Sequence, residues 1–242
     1  MSKENEVRVR KRPMCERCLR PLTHCLCAWI PALESRTRVL VLQHPDESHH
    51  ALNTARLAVL GLRNAVLHVG RQFDAALWNA EGYRPRLLFP GDGAQVLVSG
   101  TGGVTAGAND VSERVCSVGE EGRLQAEPVL LIVPDGTWRH ARQLLATHPE
   151  LAALPRVTLP VGMTTRYRVR YAGEASALST IEAITAALDV LDAPREFGAL
   201  LAPFEKLVAG QIAAMGQDRY QRDHVLRAGK RAEKKKEGLG DE

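Results

Sequence analysis

Four cysteines lie within thirteen residues near the start of the chain, at Cys15, Cys18, Cys25 and Cys27. They form a C-x2-C-x6-C-x-C pattern, and four thiolates are a ligand set that suits tetrahedral structural zinc. In a reducing compartment such a cluster favours a metal site over disulfides. The spacing therefore predicts a zinc knuckle, with a redox pair, an iron–sulfur cluster or unliganded thiols as the alternatives.

A second chemical feature follows the most hydrophobic stretch of the chain, residues 129–133 (VLLIV), which runs into Pro134, Asp135, Gly136, Thr137 and Trp138. In an open parallel sheet, ligands bind beyond the carboxyl ends of the strands. Polar segments at 43–47 and 90–92 also follow predicted strands. Asp135 is therefore a candidate functional carboxylate. The alternative is that Asp135 or Thr137 only caps the next helix.

Three arginines alternate with other residues at Arg166, Arg168 and Arg170. In an extended segment they share one face, where like charges repel unless an anion compensates them. Arginine is the usual residue for two-point contacts with carboxylates and phosphates. The segment thus predicts an anion contact, with a solvated edge strand as the alternative.

The elements that position these residues alternate between strand and helix. The apolar pattern predicts strands at 38–43, 65–69, 86–89, 129–133 and 156–159, and helices at 50–60, 72–78, 139–147, 179–191 and 204–215. Ser179 and Glu182 form the sequence signature of a capping box. Such alternation predicts an α/β fold, with a mostly parallel sheet flanked by helices and right-handed crossovers.

The same pattern suggests three regions along the chain. Residues 1–34 form a basic arm and the knuckle, 35–215 the α/β domain, and 216–242 a basic tail. Residues 91–128 are rich in glycine, match no nucleotide-binding loop and are interpreted as an insertion.

Composition and charge limit the function classes. The chain has 242 residues, of which 45% are hydrophobic and 25% charged, which excludes wholesale disorder. No apolar run is long enough to span a membrane, and the charged N-terminus argues against export, so we expect a cytoplasmic protein. Eight basic and two acidic residues between Arg219 and Lys236 suit a polyanion, or form a solvated tail.

An ordered set of motifs resembles the DTW-domain family, the tRNA-uridine aminocarboxypropyltransferases. The motifs are CERC at 15–18, CLC at 25–27, QHP at 43–45, LNTARLAVLGL at 52–62, FPG at 89–91, DGTW at 135–138, LPRVTL at 154–159, RYRVR at 166–170 and LSTIEA at 178–183. Two features depart from the family pattern: the glycine-rich stretch is longer than the family core needs, and Tyr171 stands where a lysine often follows. The resemblance spans about residues 15–191.

The resemblance implies transfer of the 3-amino-3-carboxypropyl group of S-adenosylmethionine to N3 of a tRNA uridine, with release of methylthioadenosine. It also implies an α/β core related to the SPOUT methyltransferases, with a C-terminal trefoil knot around the donor. Asp135 would then be the base that removes the N3 proton, or a positioning group. Thr137 and Trp138 join it as catalytic candidates.

The other expected contacts follow from motif position and residue chemistry. The donor-binding candidates are Phe89, Pro90, Gly91, Asp135, Gly136, Arg168, Arg170, Leu178, Ser179 and Thr180. The RNA-binding candidates are His44, Arg166, Arg219, Arg222, Arg227 and Lys230. For His44, an RNA contact and a plain strand terminus are equally open.

Two other functions compete with this hypothesis. One is a methyltransferase of the same superfamily, which would deliver the methyl group of the same donor. The other is a zinc-dependent RNA-binding protein without catalysis. The oligomeric state is left open, with a monomer favoured.

Overall fold

A computed structural model describes residues 12–48, 50–98, 127–163, 165 and 178–216. Its centre is a six-stranded parallel sheet. The sequence pattern predicts a mostly parallel sheet and five of these strands, whereas the short strand at Gln95–Val96, within the stretch interpreted as an insertion, was not predicted. The strands are β1 (Arg38–Gln43), β2 (Ala65–Val69), β3 (Arg84–Leu88), β4 (Gln95–Val96), β5 (Val129–Asp135) and β6 (Arg156–Thr158). Their order across the sheet is β2-β1-β5-β3-β6-β4.

The register of the two central strands determines where the site lies. In β1 and β5, Val41 pairs with Val133 and Gln43 pairs with Asp135, so both strands end at the same level. Their carboxyl ends form one polar edge above an apolar interior. This is the edge at which parallel sheets bind ligands.

Six α-helices cover the sheet. They are α1 (Pro45–Ser48), α2 (Ala55–Gly61), α3 (Trp138–Thr147), α4 (Pro149–Ala152), α5 (Thr180–Leu191) and α6 (Ala202–Met215), counted within the described residues. Short 3-10 helices occupy Leu22–His24, Cys27–Trp29, Ala75–Leu77 and Gly198–Leu201.

Both faces of the sheet are buried, which explains why its central strands are almost continuously apolar. Val39 and Val41 of β1 belong to one core with residues of α2, α5 and α6. Leu40 and Leu42 belong to the other, with Trp78 and residues of α3 and α4. Since side chains alternate along a strand, Gln43 and Asp135 continue the row that faces α2 and α5.

Two predicted helices are shorter than expected. The helix predicted at 50–60 begins at Ala55, because the side-chain oxygen of Asn53 accepts a hydrogen bond from the backbone N–H of Arg56 and starts the helix there. The helix predicted at 72–78 is only a 3-10 turn over Ala75–Leu77, begun by the Asp74 carboxylate, which accepts from the N–H of Ala76. The remaining predicted elements within the described residues are present, with ends shifted by one or two residues.

The cysteine module, residues 13–30, packs beside the sheet rather than within it. An isolated antiparallel bridge pairs Met14 with Pro21, and Leu26 is buried in the core shared with α2. Lys206 of α6 lies over the ring of Trp29, with its ammonium 4.1 Å from the ring centre. The module is thus attached to the α/β domain through both apolar and cation–π contacts.

Within the described ranges, no helix combines the length and the apolar character that crossing a bilayer requires.

Candidate active site at the carboxyl edge of the sheet

Asp135, the last residue of β5, is held by two neutral donors. The side-chain amide of Gln43 donates to Oδ2 at 2.7 Å, and the hydroxyl of Thr180, the first residue of α5, donates to Oδ1. Each carboxylate oxygen keeps a second lone pair, since it accepts one of these bonds. The carboxylate is therefore oriented without being neutralised by either partner.

Gln43 is itself fixed by Asn53, which precedes α2. Gln43 is fully buried, and its Nε2 donates to Asn53 Oδ1 at 3.2 Å while its Oε1 accepts from Asn53 Nδ2 at 3.3 Å. A buried amide with both ends bonded has one preferred orientation. The polar row of Asn53, Gln43, Asp135 and Thr180 links four segments that are far apart in sequence.

The chain turns from β5 into α3 through Gly136. Its φ is +156°, and an added Cβ would lie 3.0 Å from the Cβ of His140 and 3.4 Å from the Cβ of His44, so the close approach requires glycine. Thr137 then caps α3, because its hydroxyl accepts from the N–H of His140 at 3.2 Å. The capping role considered for this segment is thus performed by Thr137, and Asp135 belongs to the strand.

Two histidines stack beside this turn. The rings of His44 and His140 lie 3.7 Å apart and only 12° from parallel, with Asp46 Oδ2 3.5 Å from His44 Nδ1. Burial lowers the pKa of His44 below 6.5, and His140 lowers it further. One ligand atom each of His44, Asp46 and His140 lie within 4.8 Å of one another, a spacing at which a metal ion could be considered. The two imidazole rings are stacked, however, so their nitrogen lone pairs lie in parallel planes and do not converge on one ion.

A cleft runs along α3 from the histidine stack to Thr147, the last residue of the helix. Asp135, His44, Arg71, Phe73 and His140 are among its lining residues. Asp135 is thus one of the residues of this cleft, while its carboxylate bonds to Gln43 and Thr180 on the side of α2 and α5.

The two aromatic candidates lie next to each other at the neighbouring strand end. Phe89 follows β3 and meets Trp138 edge to face, with ring centres 5.7 Å apart. Trp138 is 44% exposed, which leaves part of the indole available for contact with a planar group. Gly91 lies against the side chain of Arg156, since an added Cβ would be 2.5 Å from Nη1.

Three predicted donor-binding residues, Leu178, Ser179 and Thr180, lie at the start of α5, and each makes different contacts. Ser179 is buried, and both its N–H and its hydroxyl bond to Glu182 Oε2, at 2.9 and 2.7 Å, so it forms the predicted capping box. Thr180 instead contacts Asp135. Leu178 lines a second and larger cleft, together with Glu182 of α5 and Phe204 of α6.

The structure thus brings Asp135, Gly136, Thr180 and His44 together, with the Phe89–Trp138 pair at the adjacent strand end. Several predicted site residues lie outside the described residues: Arg166, Arg168, Arg170, Arg219, Arg222, Arg227 and Lys230. The anion contacts expected of them stay predictions.

The four cysteines of the module have the geometry of a metal site. Their sulfur atoms all lie within 4.8 Å of one another. Cys15 and Cys27 are 3.6 Å apart and Cys18 and Cys25 are 3.8 Å apart, Sγ to Sγ. A tetrahedral zinc with bonds of about 2.3 Å separates its sulfurs by about 3.8 Å, so the thiol set fits zinc.

The electrostatics of the module also favour a cation. Hydrogen bonds from the backbone N–H groups of Cys18 and Arg17 lower the pKa of Cys15 to about 6. Burial and, to a lesser extent, the contact with Cys15 together raise the pKa of Cys27 to about 12. Without a metal, a second thiol of the cluster loses its proton with difficulty once Cys15 is ionised. A bound zinc ion would stabilise all four cysteines as thiolates.

Comparison with known proteins identifies the family. A family model described as the DTW domain matches residues 12–212. The chain belongs to the DTW domain family. The resemblance seen in the ordered motifs is therefore confirmed.

Curated relatives of this DTW-domain protein come from animals and plants. "tRNA-uridine aminocarboxypropyltransferase 2" of Macaca fascicularis is 28% identical, over 91% of this chain and 70% of the relative. The protein of the same name from Drosophila melanogaster is 27% identical, over 90% of this chain and 82% of its own. "tRNA-uridine aminocarboxypropyltransferase A" of Arabidopsis thaliana is 32% identical over 56% of this chain and 51% of its own. No solved structure gives a significant match.

Sequence reasoning missed three residues at or near this DTW-domain site. The sequence pattern places Asn53 within the predicted helix 50–60, His140 within the predicted helix 139–147, and Arg20 in the basic arm. The signal for Asn53 was available in its helix-capping residue type. His140 and Arg20 gave none, since their partners Asp46, His44, Ala51 and Asn53 meet them only through the fold.

Proposed function

We propose that this protein transfers the 3-amino-3-carboxypropyl group from S-adenosylmethionine to N3 of a tRNA uridine, giving 3-(3-amino-3-carboxypropyl)uridine and methylthioadenosine. One observation carries the proposal most directly: Asp135 of the DTW motif borders a cleft while Gln43 and Thr180 orient its carboxylate. The names of the curated relatives support the same reaction class.

Asp135 acts as the general base in this proposal. The N3 proton of uridine must leave before the nitrogen attacks an alkyl carbon, and a carboxylate with a free lone pair accepts it. Gln43 and Thr180 are neutral donors, so neither of them takes up that proton at neutral pH. Their bonds leave each oxygen of the carboxylate one further lone pair.

The transfer itself is a displacement at carbon. The N3–C bond forms at the arm carbon that is attached to the sulfonium, and the bond from that carbon to sulfur breaks. The bonding electrons stay on sulfur, which leaves as the neutral thioether of methylthioadenosine, while the proton remains on Asp135. The protein must place the arm carbon, rather than the methyl carbon, in line with N3.

Residues around the edge supply this placement. Trp138, beside Phe89, offers an exposed ring for stacking on a base, and Gly136 and Thr137 hold the turn that carries it. Arg168 and Arg170 are proposed to hold the carboxylate of the arm, and Pro90, Gly91, Leu178 and Ser179 to line the donor site. Arg166, His44 and the tail residues Arg219, Arg222, Arg227 and Lys230 are proposed to contact the tRNA.

The remaining expectations belong to the same proposal. The four cysteines hold a structural zinc that keeps the module folded. The α/β domain, 35–215, is of the SPOUT type with a C-terminal trefoil knot, between a knuckle region at 1–34 and a basic tail at 216–242. We propose a monomeric enzyme that acts in the cytoplasm.

The test is product analysis with the purified protein, S-adenosylmethionine and unmodified tRNA. We expect a nucleoside whose mass gain equals one aminocarboxypropyl group, with methylthioadenosine released in equal amount. Release of S-adenosylhomocysteine with a methylated nucleoside would instead show a methyltransferase. tRNA binding without any modified nucleoside would show a binding protein.

A further inference from the structure

Arg20 connects the cysteine module to the α/β domain at one specific loop. Its guanidinium donates to the backbone carbonyl of Ala51 at 2.7 Å and to that of Asn53 at 3.2 Å. The backbone of Arg20 is fixed within the module, because its carbonyl accepts from the N–H of Cys15 at 2.7 Å. The fold of the module therefore determines where this guanidinium lies.

The loop that Arg20 contacts contains Asn53, and both the oxygen and the nitrogen of the Asn53 side chain form hydrogen bonds. Its Oδ1 accepts from the backbone N–H of Arg56 at 3.1 Å as well as from Gln43. Its Nδ2 donates to Gln43 Oε1 and, at 3.2 Å, to the carbonyl of Glu47. The backbone N–H of Arg56 and the carbonyl of Glu47 thus fix the orientation of the Asn53 amide, both ends of which contact Gln43.

The orientation of Asn53 dictates that of Gln43. Because Asn53 Nδ2 donates to Gln43 Oε1, the Nε2 of Gln43 is left to donate to Asp135 Oδ2 at 2.7 Å. A reversed Gln43 amide would place its carbonyl oxygen against the carboxylate, which is repulsive in a buried setting. The geometry of the carboxylate therefore depends on the position of the loop.

We propose that Arg20 and Asn53 are positioning residues, through which the folded cysteine module fixes the Gln43 amide and, with it, the Asp135 carboxylate. This inference rests on the proposed function for its kinetic consequence but not for its structural one. It assigns the module a role in the chemistry of the edge, in addition to any contact with RNA.

The experiment compares Arg20→Ala with Arg17→Ala in the full, zinc-loaded chain. Arg17 is an exposed arginine of the same module, so its loss removes equal charge without touching the loop. Zinc content, kcat, KM and the NMR signal of the Gln43 side-chain NH2 are measured for both. Arg20→Lys is a milder variant in case Arg20→Ala folds poorly, since one ammonium replaces the two-point contact.

We expect both variants to keep one zinc per chain. In Arg20→Ala the kcat should fall about tenfold, with KM values matching those of Arg17→Ala, because a misplaced carboxylate slows the step without weakening binding. The Gln43 NH2 signal should shift and exchange faster with solvent in Arg20→Ala and Arg20→Lys only. Equal kcat and an unchanged Gln43 signal in the Arg20 variants and Arg17→Ala would overturn the proposal.

Asn53→Asp tests the next step of the chain of contacts. The aspartate keeps the acceptors for Arg56 and for Gln43 Nε2 but places an oxygen against Gln43 Oε1. The two side chains should therefore move apart, which displaces the Gln43 amide from Asp135, and kcat should fall further than in Arg20→Ala. An Asn53→Asp variant with wild-type kcat and Gln43 signal would also contradict the inference. If the wild-type protein modifies no tRNA, the proposed function fails, whereas the NMR comparison still decides the inference.

Discussion

The cysteine module and the carboxyl edge of the sheet are both small polar clusters, but they are assembled in opposite ways. The four thiols come from Cys15–Cys27, so local turns alone bring them within 4.8 Å of one another. The polar row at the edge combines Gln43, Asn53, Asp135 and Thr180, which only the sheet and two helices bring together. The module is thus a local structure, whereas the edge depends on the whole domain.

This difference predicts that substitutions at the edge act on turnover and that substitutions in the module act first on folding. The largest effect should come from Asp135→Asn. Loss of a general base costs about 10²- to 10⁴-fold in rate, so we expect kcat to fall about 10³-fold. Thermal unfolding should also occur at a somewhat lower temperature, because the new amide keeps the acceptor for Thr180 but turns an N–H donor toward the Gln43 Nε2 donor. Near wild-type turnover in this variant would remove Asp135 from the mechanism.

Cys18→Ser should have the opposite profile. Loss of one ligand from a closed zinc site removes most of its affinity, so we expect less than one zinc per chain and earlier thermal unfolding of the module. Turnover should fall about tenfold because the support of the Asn53 loop by Arg20 is lost. A strong chelator added to the wild-type protein should reproduce both changes. Full zinc content in Cys18→Ser would exclude the four-thiol site.

Gly136→Ala tests how tightly the edge is packed. The added Cβ meets the Cβ of His140 at 3.0 Å and a φ of +156° that is unfavourable for alanine. We expect a loss of about 1–3 kcal/mol in the free energy of unfolding, measured by denaturant titration. Gly93→Ala, whose φ is +73° but whose Cβ meets nothing within 4 Å, is the control for backbone strain alone. Equal losses in the two variants would show that packing at Gly136 is unimportant.

The smallest effect concerns the pH dependence of stability at the histidine stack. The pKa of His44 is lowered in the folded state, so below pH 6.5 the unfolded chain binds the proton more readily than the folded one. Stability should therefore decrease as the pH falls from about 6.5 toward the folded-state pKa. His44→Gln should lack this contribution. Parallel stability curves of the two proteins between pH 7 and 5 would argue against it.

The comparison also explains how much of the molecule the sequence predicts. Five of the strands follow from apolar runs such as residues 129–133, and the cluster of four thiols follows from the spacing of the cysteines. Ser179 was predicted as a helix cap, and Thr137 was one of two candidates for the cap of α3, because capping is a local property. The stack of His44 on His140 was not predicted, because it depends on the packing of α3 against the end of β1.

Side-chain partners were harder to predict than positions. Asp135 was placed at the correct strand end, but its contacts with Gln43 and Thr180 require the register of β1 with β5 and the direction in which α5 enters the core. The role of Arg20 required knowing where the module docks. Hydrogen-bond partners distant in sequence carry no periodic signal, so only the structure reveals them.

The most direct test of the mechanism is chemical rescue of Asp135→Asn with tRNA in which 5-fluorouridine replaces uridine. Fluorine makes N3 more acidic, so a substrate that loses its proton without help should depend less on a base. We predict that single-turnover rates of Asp135→Asn rise strongly with the fluorinated tRNA, while the wild-type rate changes little. An equal loss of rate with both tRNAs would contradict the account and leave Asp135 as a group that only positions the substrate.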